Sequence, residues 1–334
     1  MNNCIIETKA LTKKFNSLIA VNNVSIKVNK GEIFGILGPN GAGKTTLISM
    51  LITMKKPSSG EAVVDGFDIR KNPDDVRKSI GIVFQDPSLD EELTAFENLE
   101  MHAALYGITK KEREKRIKEV IHVVELDERL TDLVKTYSGG MRRRLEIARG
   151  LIHRPKILFL DEPTLGLDPQ TRKRIWDYIR KLKKENNTTI ILTTHYMDEA
   201  DSLCDRIAII DHGNIIILDN NENLKNSIGG DVISIKIAEP KKLREKIENA
   251  QLKWIKGMEE YNDELKIRVE MGERRIPKII EIAKNNNWEI ESVNLHKPTL
   301  DDVFFHYTGK DIREENGSVK DLIRIRRKAW GKGR

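Results

Sequence analysis

Between Ile33 and Leu51 the chain reads IFGILGPNGAGKTTLISML, in which a run of glycines delivers a lysine and two threonines to one place. The stretch Gly38-Pro39-Asn40-Gly41-Ala42-Gly43-Lys44-Thr45, with Thr46 after it, has the spacing G-x-x-x-x-G-K-[ST]. Its chemistry is that of phosphate. Glycines let backbone N–H groups close around an anion, Lys44 supplies charge for the β- and γ-phosphates, and the Thr45 hydroxyl suits Mg²⁺. The motif works only between a strand and a helix. The apolar run Ile33 to Leu37 predicts the buried strand, and the apolar residues after Lys44 predict the helix.

A second stretch, KILFLDEP at 156–163, supplies carboxylates. Its four apolar residues predict a buried parallel strand with Asp161 and Glu162 at the C-terminal end, where α/β sheets hold their ligands. Asp161 can hold Mg²⁺ through water, and Glu162 can polarise an attacking water. A third stretch, YSGGMRRRLEIARG at 137–150, is half of a phosphate loop. Ser138, Gly139 and Gly140 open a helix with bare N–H groups, yet no Gly-Lys-Thr follows. Arg142, Arg143 and Arg144 crowd its first turn, against the helix dipole.

Taken together and in this order, these motifs resemble the ATP-binding cassette (ABC) family over about residues 5 to 225. Walker A lies at 38–46, a glutamine at Gln85 in GIVFQDP and the signature at Ser138-Gly139-Gly140. Walker B lies at 157–162, followed by LGLD ending at Asp168 and by TTHYMDEA with His195. The signature departs from the family's usual L-S-G-G-Q in having Tyr137 and Met141, so the usual amide is missing. The resemblance implies two cassettes packed head to tail, ATP held by Lys44 and its loop in one, and Ser138 and Gly140 of the other meeting the γ-phosphate. That answers the puzzle of the half loop. It further implies Glu162 as catalytic base and His195 as a γ-phosphate contact. Gln85 becomes a contact to Mg²⁺ and water that senses a membrane partner, Phe15 the ring stacked on adenine, and Asp168 an organiser of the dimer interface. As a lone residue Asp168 reads as a helix cap, because Pro169 suits a first helical position.

The elements that must position these groups follow the same order. Residues 1–228 are expected to form the P-loop NTPase domain, an α/β nucleotide-binding domain, with a helical subdomain at about 88–150. There, apolar residues recur at helical spacing and KKEREKR reads as a solvated face. Residues 229–308 alternate strand, helix, two strands, helix, strand, which predicts a small α+β, ferredoxin-like βαββαβ domain with a regulatory or dimer-supporting role. The sequence PTLDDVFFHYTGKDIREE looks like the C-terminal end of drug- and antibiotic-resistance exporter ATPases of the daunorubicin type. Permeases of that subfamily are separate chains.

Composition sets the exclusions. The chain has 334 residues with 5% aromatic and 33% charged residues, and no apolar run approaches the roughly 18–20 residues of a membrane span. Cys4 and Cys204 have no metal spacing. The net charge of +6 resides wholly in residues 320–334, where seven Lys or Arg face one Asp. A nucleic-acid partner is therefore not expected from the global charge. The basic tail, 309–334, reads either as a solvated end or, over SVKDLIRIRRKAWGKGR, as a short amphipathic contact with acidic lipid. The expected assembly is a homodimer with an ABC-2 type transmembrane permease, on the cytoplasmic side of the cell membrane, using ATP and Mg²⁺ for export. The alternative is a soluble ABC ATPase with a ribosomal or nucleic-acid partner. It is disfavoured by the single cassette and by the lack of a long heptad insertion.

Overall fold

The computed structural model describes residues 3–86, 88–261 and 263–309. The basic tail beyond Gly309 and the Asn262 corner expected between two strands lie outside the described residues. The chain divides into two compact units at Asp219/Asn220.

The first unit is built on a six-stranded sheet. From one edge to the other its strands are Asn214–Asn220, Arg206–Asp211, Ile33–Leu37, Thr189–Thr194, Ile157–Asp161 and Ile80–Val83. The five strands from Arg206–Asp211 to Ile80–Val83 pair in parallel. Parallel strands are covered on both faces, which is why IFGIL, ILFLD and TIILTT are buried at every position. Four adjacent strands, Ile33–Leu37, Thr189–Thr194, Ile157–Asp161 and Ile80–Val83, end on one edge. Register places Leu37 beside Thr194, Asp161 beside Thr193 and Val83 beside Leu160. An antiparallel sheet of Leu18–Val24, Cys4–Phe15, Ser59–Val64 and Phe67–Asp68, with Lys27–Asn29 on Cys4–Phe15, shares a core with this one. Ile6, Val28 and Val64 pack in one cluster with Phe34, Leu47 and Phe159.

The segment between Gln85 and Ile157 is helical among the described residues, with helices Ala95–Leu105, Lys110–Val123 and Gly139–Leu151. Thr94 and Glu97 form a capping box at the first of these, satisfying two backbone N–H groups at the helix start. KKEREKR opens the second with Lys110, Lys111, Glu112, Glu114 and Lys115 exposed, while Ile117, Val120 and Ile121 face inward.

The second unit carries Asp231–Ile237, Pro240–Asn249, Ile255–Tyr261, Glu264–Val269, Gly272–Asn285 and Ile290–His296 in the order strand, helix, strand, strand, helix, strand. Its sheet runs Ile255–Tyr261, Glu264–Val269, Asp231–Ile237, Ile290–His296, all antiparallel. The central strand Asp231–Ile237 alternates in sequence, and its apolar side chains meet Leu243, Ile247, Ile279 and Ala283 of the two helices. The break between units precedes the boundary expected at 228. Helix Asn221–Ile228 buries Leu224 and Ile228 and packs on helix Leu300–Thr308 of the second unit. No helix among the described residues is long and apolar enough to cross a membrane.

Candidate active site

The phosphate loop leaves strand Ile33–Leu37 and enters helix Lys44–Leu51 through Gly43, whose φ of 106° is the left-handed region that side chains avoid. A Cβ there would also lie 2.3 Å from the Ala20 carbonyl oxygen, so residue 43 must be glycine. Gly38 N–H donates to the Thr194 carbonyl at 3.2 Å, tying the loop to the strand that leads to His195. Ala42 is buried, Asn40 and Gly41 are exposed, and Thr45 and Thr46 open the helix.

Lys44 is folded back over its own loop. Its Nζ donates to the carbonyls of Gly38 at 2.7 Å and Pro39 at 3.0 Å, and lies 3.3 Å from Glu162 Oε1. Burial pushes the Lys44 ammonium below its usual range, against the opposing pull of Glu162 and Asp161.

Glu162 sits on the turn after strand Ile157–Asp161, at φ 48°. A non-glycine residue in that region costs on the order of 1–3 kcal/mol, and such strain persists only where the surroundings hold it. Here Glu162 N–H donates to the carbonyl and hydroxyl of Thr193 at 3.1 and 3.0 Å. His195 Nδ1 lies 3.3 Å from Glu162 Oε1 without an aligned hydrogen bond. Burial pushes the Glu162 carboxyl up, but His195 and Lys44 together outweigh it and hold the group below the ordinary carboxylate range.

Asp161 Oδ1 accepts a hydrogen bond from Thr193 Oγ1 and another, at 3.4 Å, from Thr45 Oγ1. A hydroxyl and a carboxylate at this spacing fit a hard divalent cation that takes its other ligands from water and phosphate. No cluster of three or more His, Cys, Asp or Glu able to hold a metal exists among the described residues. Gln85 is exposed just beyond strand Ile80–Val83. Lys44, Thr45, Asp161, Glu162 and His195 are thus gathered by contacts, with Gln85 at the end of the next strand.

The remaining expected residues stand apart from that cluster. Phe15 ends strand Cys4–Phe15 with 39% of its surface exposed, its ring flanked by Lys13 and Lys55 at 5.1 and 5.3 Å. That is an open aromatic face with cations beside it. Ser138 caps helix Gly139–Leu151, its hydroxyl accepting from Met141 N–H at 3.3 Å. Gly139 and Gly140 begin that helix, and a Cβ on Gly140 would strike Thr171 Cγ2 at 2.4 Å. Thr171 belongs to helix Pro169–Asn186, which Asp168 caps through Gln170 and Thr171 N–H at 3.0 Å each. Hydrogen bonds from Thr171 hold the exposed Asp168 carboxyl below its usual range. The signature turn and the LGLD turn are therefore packed as one exposed surface.

Sequence reasoning left several participants unassigned. Thr193 bonds both walls of the cluster, and only the repeated threonine of TTHYMDEA hinted at it. The arginines that look misplaced at the helix start are occupied elsewhere. Arg142 pairs with Glu91, Arg144 reaches the carbonyls of Val124 and Glu125, and Arg143 is buried behind Asp161 and Glu162. Glu199 is fully buried, accepting from Thr164 Oγ1 at 2.7 Å and Trp176 Nε1 at 3.0 Å, and burial raises its carboxyl.

Comparison with known proteins agrees with this geometry. The family model described as ABC transporter matches residues 21–165, and that of the ATP-binding protein DrrA1-3-like C-terminal domain matches residues 220–308. The chain is 41% identical over 310 residues to the daunorubicin/doxorubicin resistance ATP-binding protein DrrA of Streptomyces peucetius, covering 91% of this chain and 92% of that one. It is 36% identical to the linearmycin resistance ATP-binding protein LnrL of Bacillus subtilis, covering 93% and 100%. Among solved structures it is similar to cbiO1 of Clostridium perfringens, with TM-score 0.62, 31% identity, and coverage of 66% of this chain and 89% of that one. It is also similar to the dimeric ATP-binding cassette MJ0796 in a post-hydrolysis state bound to ADP and Pi. The TM-score is 0.58 at 30% identity, over 64% of this chain and 98% of that one.

Proposed function

Because the chain belongs to the ABC transporter ATP-binding proteins, of the daunorubicin-resistance type, we propose that it drives export of an amphipathic drug- or antibiotic-like compound through a separate ABC-2 type permease. ATP hydrolysis is its reaction. The observation that carries the reading is the buried cluster of Lys44, Glu162 and His195 at the mouth of the phosphate loop.

The steps follow from this chain's own groups. Phe15 stacks on the adenine, while loop N–H groups and the start of helix Lys44–Leu51 receive the phosphates. Lys44 leaves the Gly38 and Pro39 carbonyls for the β- and γ-phosphates. Thr45, Asp161 and Gln85 would hold Mg²⁺, which when bound neutralises phosphate charge. Glu162, kept ionised by its neighbours, orients the attacking water and takes its proton, and His195 braces the γ-phosphate side. Ser138 and Gly140 complete the site from a second copy, because in their own chain they open a helix on the exposed surface shared with Asp168. The head-to-tail homodimer thus has two composite sites. The basic residues after Gly309 favour the acidic lipid of the cytoplasmic membrane face, where the permease is reached.

The test uses inside-out membrane vesicles containing this chain and an ABC-2 type permease from the same genome. ATP with Mg²⁺ should drive accumulation of daunorubicin or a comparable amphipathic cation, and Lys44→Ala should abolish it. Accumulation that persists in Lys44→Ala vesicles would overturn the proposal.

A further inference from the structure

Arg143 and Glu146 lie one turn apart on helix Gly139–Leu151, and both are almost wholly buried, at 7% and 3% exposure. A charged pair is kept in a protein interior only when its remaining donors and acceptors are satisfied. Arg143 meets that condition with an unusual set of partners. Its Nε donates to the Pro163 carbonyl at 2.7 Å, and Nη1 donates to the Phe84 carbonyl at 2.6 Å and to Glu146 Oε2 at 2.8 Å. Its Nη2 donates to the carbonyls of Asp161 at 3.1 Å and Glu162 at 3.2 Å. The second oxygen of Glu146 accepts from Ser88 N–H at 2.9 Å.

These partners are not ordinary core. Asp161, Glu162 and Pro163 are the turn that presents both carboxylates of the site, and Glu162 is the residue at positive φ. Phe84 and Ser88 bracket Gln85. One ion pair therefore grips the backbone behind the catalytic carboxylate and both flanks of the glutamine segment, from a helix whose first residues are Ser138, Gly139 and Gly140. A planar guanidinium with five donors can bind four divergent carbonyls at once, which a lysine cannot.

We propose that Arg143 and Glu146 are positioning residues for ATP hydrolysis: they hold Gln85 and Glu162 in register with the signature helix. The inference rests on the composite-site reading above and deepens it. The helix that seats Ser138 and Gly140 on the partner copy's nucleotide is the helix that sets Glu162 over the chain's own nucleotide. Seating at one site is thereby passed to the reacting groups of the other. Removing the grip leaves the phosphate loop and Phe15 intact, so binding is spared while turnover is lost.

The test compares Arg143→Met, Arg143→Lys and Glu146→Gln with Glu162→Gln in the full-length chain, measuring kcat, KM and direct binding of a fluorescent ATP analogue. A displacement of about 1 Å at reacting groups costs on the order of 10²-fold in rate, and that loss of kcat is expected for Arg143→Met. Analogue binding and KM should stay within roughly threefold, the pattern of a group that acts only on the chemical step. Arg143→Lys, which keeps the charge and part of the contacts, should recover about tenfold of the loss. Glu146→Gln, which can still accept from Ser88, should fall between it and the unaltered chain. If Arg143→Met does not fold, the other two variants carry the test. Unchanged kcat in Arg143→Lys and Glu146→Gln, or binding that falls in proportion to kcat, overturns the inference. Should Glu162→Gln be inactive while the Arg143 variants turn over normally, only the positioning inference fails. Should Glu162→Gln itself turn over normally, the site assignment beneath it fails.

Discussion

Replacing Glu162 by Gln changes one charge and little shape, and its consequences extend beyond turnover. Glu162 Oε1 lies 3.3 Å from Lys44 Nζ and 3.3 Å from His195 Nδ1, with all three side chains buried. At an effective dielectric of about 20, one such contact is worth about 5 kcal/mol before desolvation is counted. Removing one partner of a buried pair typically costs about 3–5 kcal/mol, because the other charge is left uncompensated. Lys44 would retain its two carbonyl acceptors, which places the loss at the lower end, about 3 kcal/mol. For a unit of this size each kcal/mol lowers Tm by roughly 2–4 °C, so the nucleotide-free variant should melt about 6–12 °C earlier. ATP should reverse much of this. Its phosphates give Lys44 a new counter-charge, and the variant no longer sets a carboxylate against the γ-phosphate. The ATP-induced rise in Tm should therefore be larger in Glu162→Gln than in the unaltered chain, as linkage requires of tighter binding. Turnover should meanwhile fall by about 10²–10⁴-fold, the usual worth of a positioned base. Thermal melts with and without ATP, beside a phosphate-release assay, read all three. Normal turnover would refute the assignment of the base. An unchanged nucleotide-free Tm would refute the claim that the pair carries opposite charges.

Two further outcomes follow from the same geometry. Ser138→Arg fills the position of the γ-phosphate in the partner's site, and Lys44→Ala empties the charge in its own. Homodimers of either variant keep no intact composite site, whereas the mixed dimer places both lesions in one site and leaves the other whole. Mixing the two should therefore raise hydrolysis above that of either variant alone; mixtures no more active than the separate variants would exclude the head-to-tail dimer. On helix Ala95–Leu105, burial, with Arg149 and His153 adding to it, pushes His102 from 6.5 down to about 4. The unfolded chain then takes up that proton first, so this contribution to stability is complete above about pH 6.5 and is lost as pH falls toward 4. Urea midpoints measured across that window should fall less steeply for His102→Gln, and parallel slopes would show that His102 does not titrate on unfolding.

The phosphate loop, the strand ending in Asp161 and Glu162, and the alternation of the second unit were all legible because their signals are local. A glycine at Gly43 is demanded by its own φ, and IFGIL and ILFLD announce burial on both faces without reference to any neighbour. The Pro169 that follows Asp168 likewise marked a helix start, and Asp168 does cap that helix. What no local pattern contains is strand order. The strand Ile80–Val83 comes second in sequence among the four that carry the site but lies last in space, after Thr189–Thr194 and Ile157–Asp161. Only that arrangement draws Thr193 between Asp161 and Glu162. The same holds for the unit boundary, which moved to Asp219/Asn220 because helix Asn221–Ile228, with Leu224 and Ile228 buried, packs on a helix some 80 residues later. The arginines are the clearest case. Judged by the helix dipole alone they are misplaced, since that rule sees only the turn they occupy. Their acceptors are carbonyls and carboxylates as far as 59 residues away in the chain, and it is tertiary packing that turned Arg143 from a local penalty into a hydrogen-bonded hold on the backbone of the Asp161–Pro163 turn.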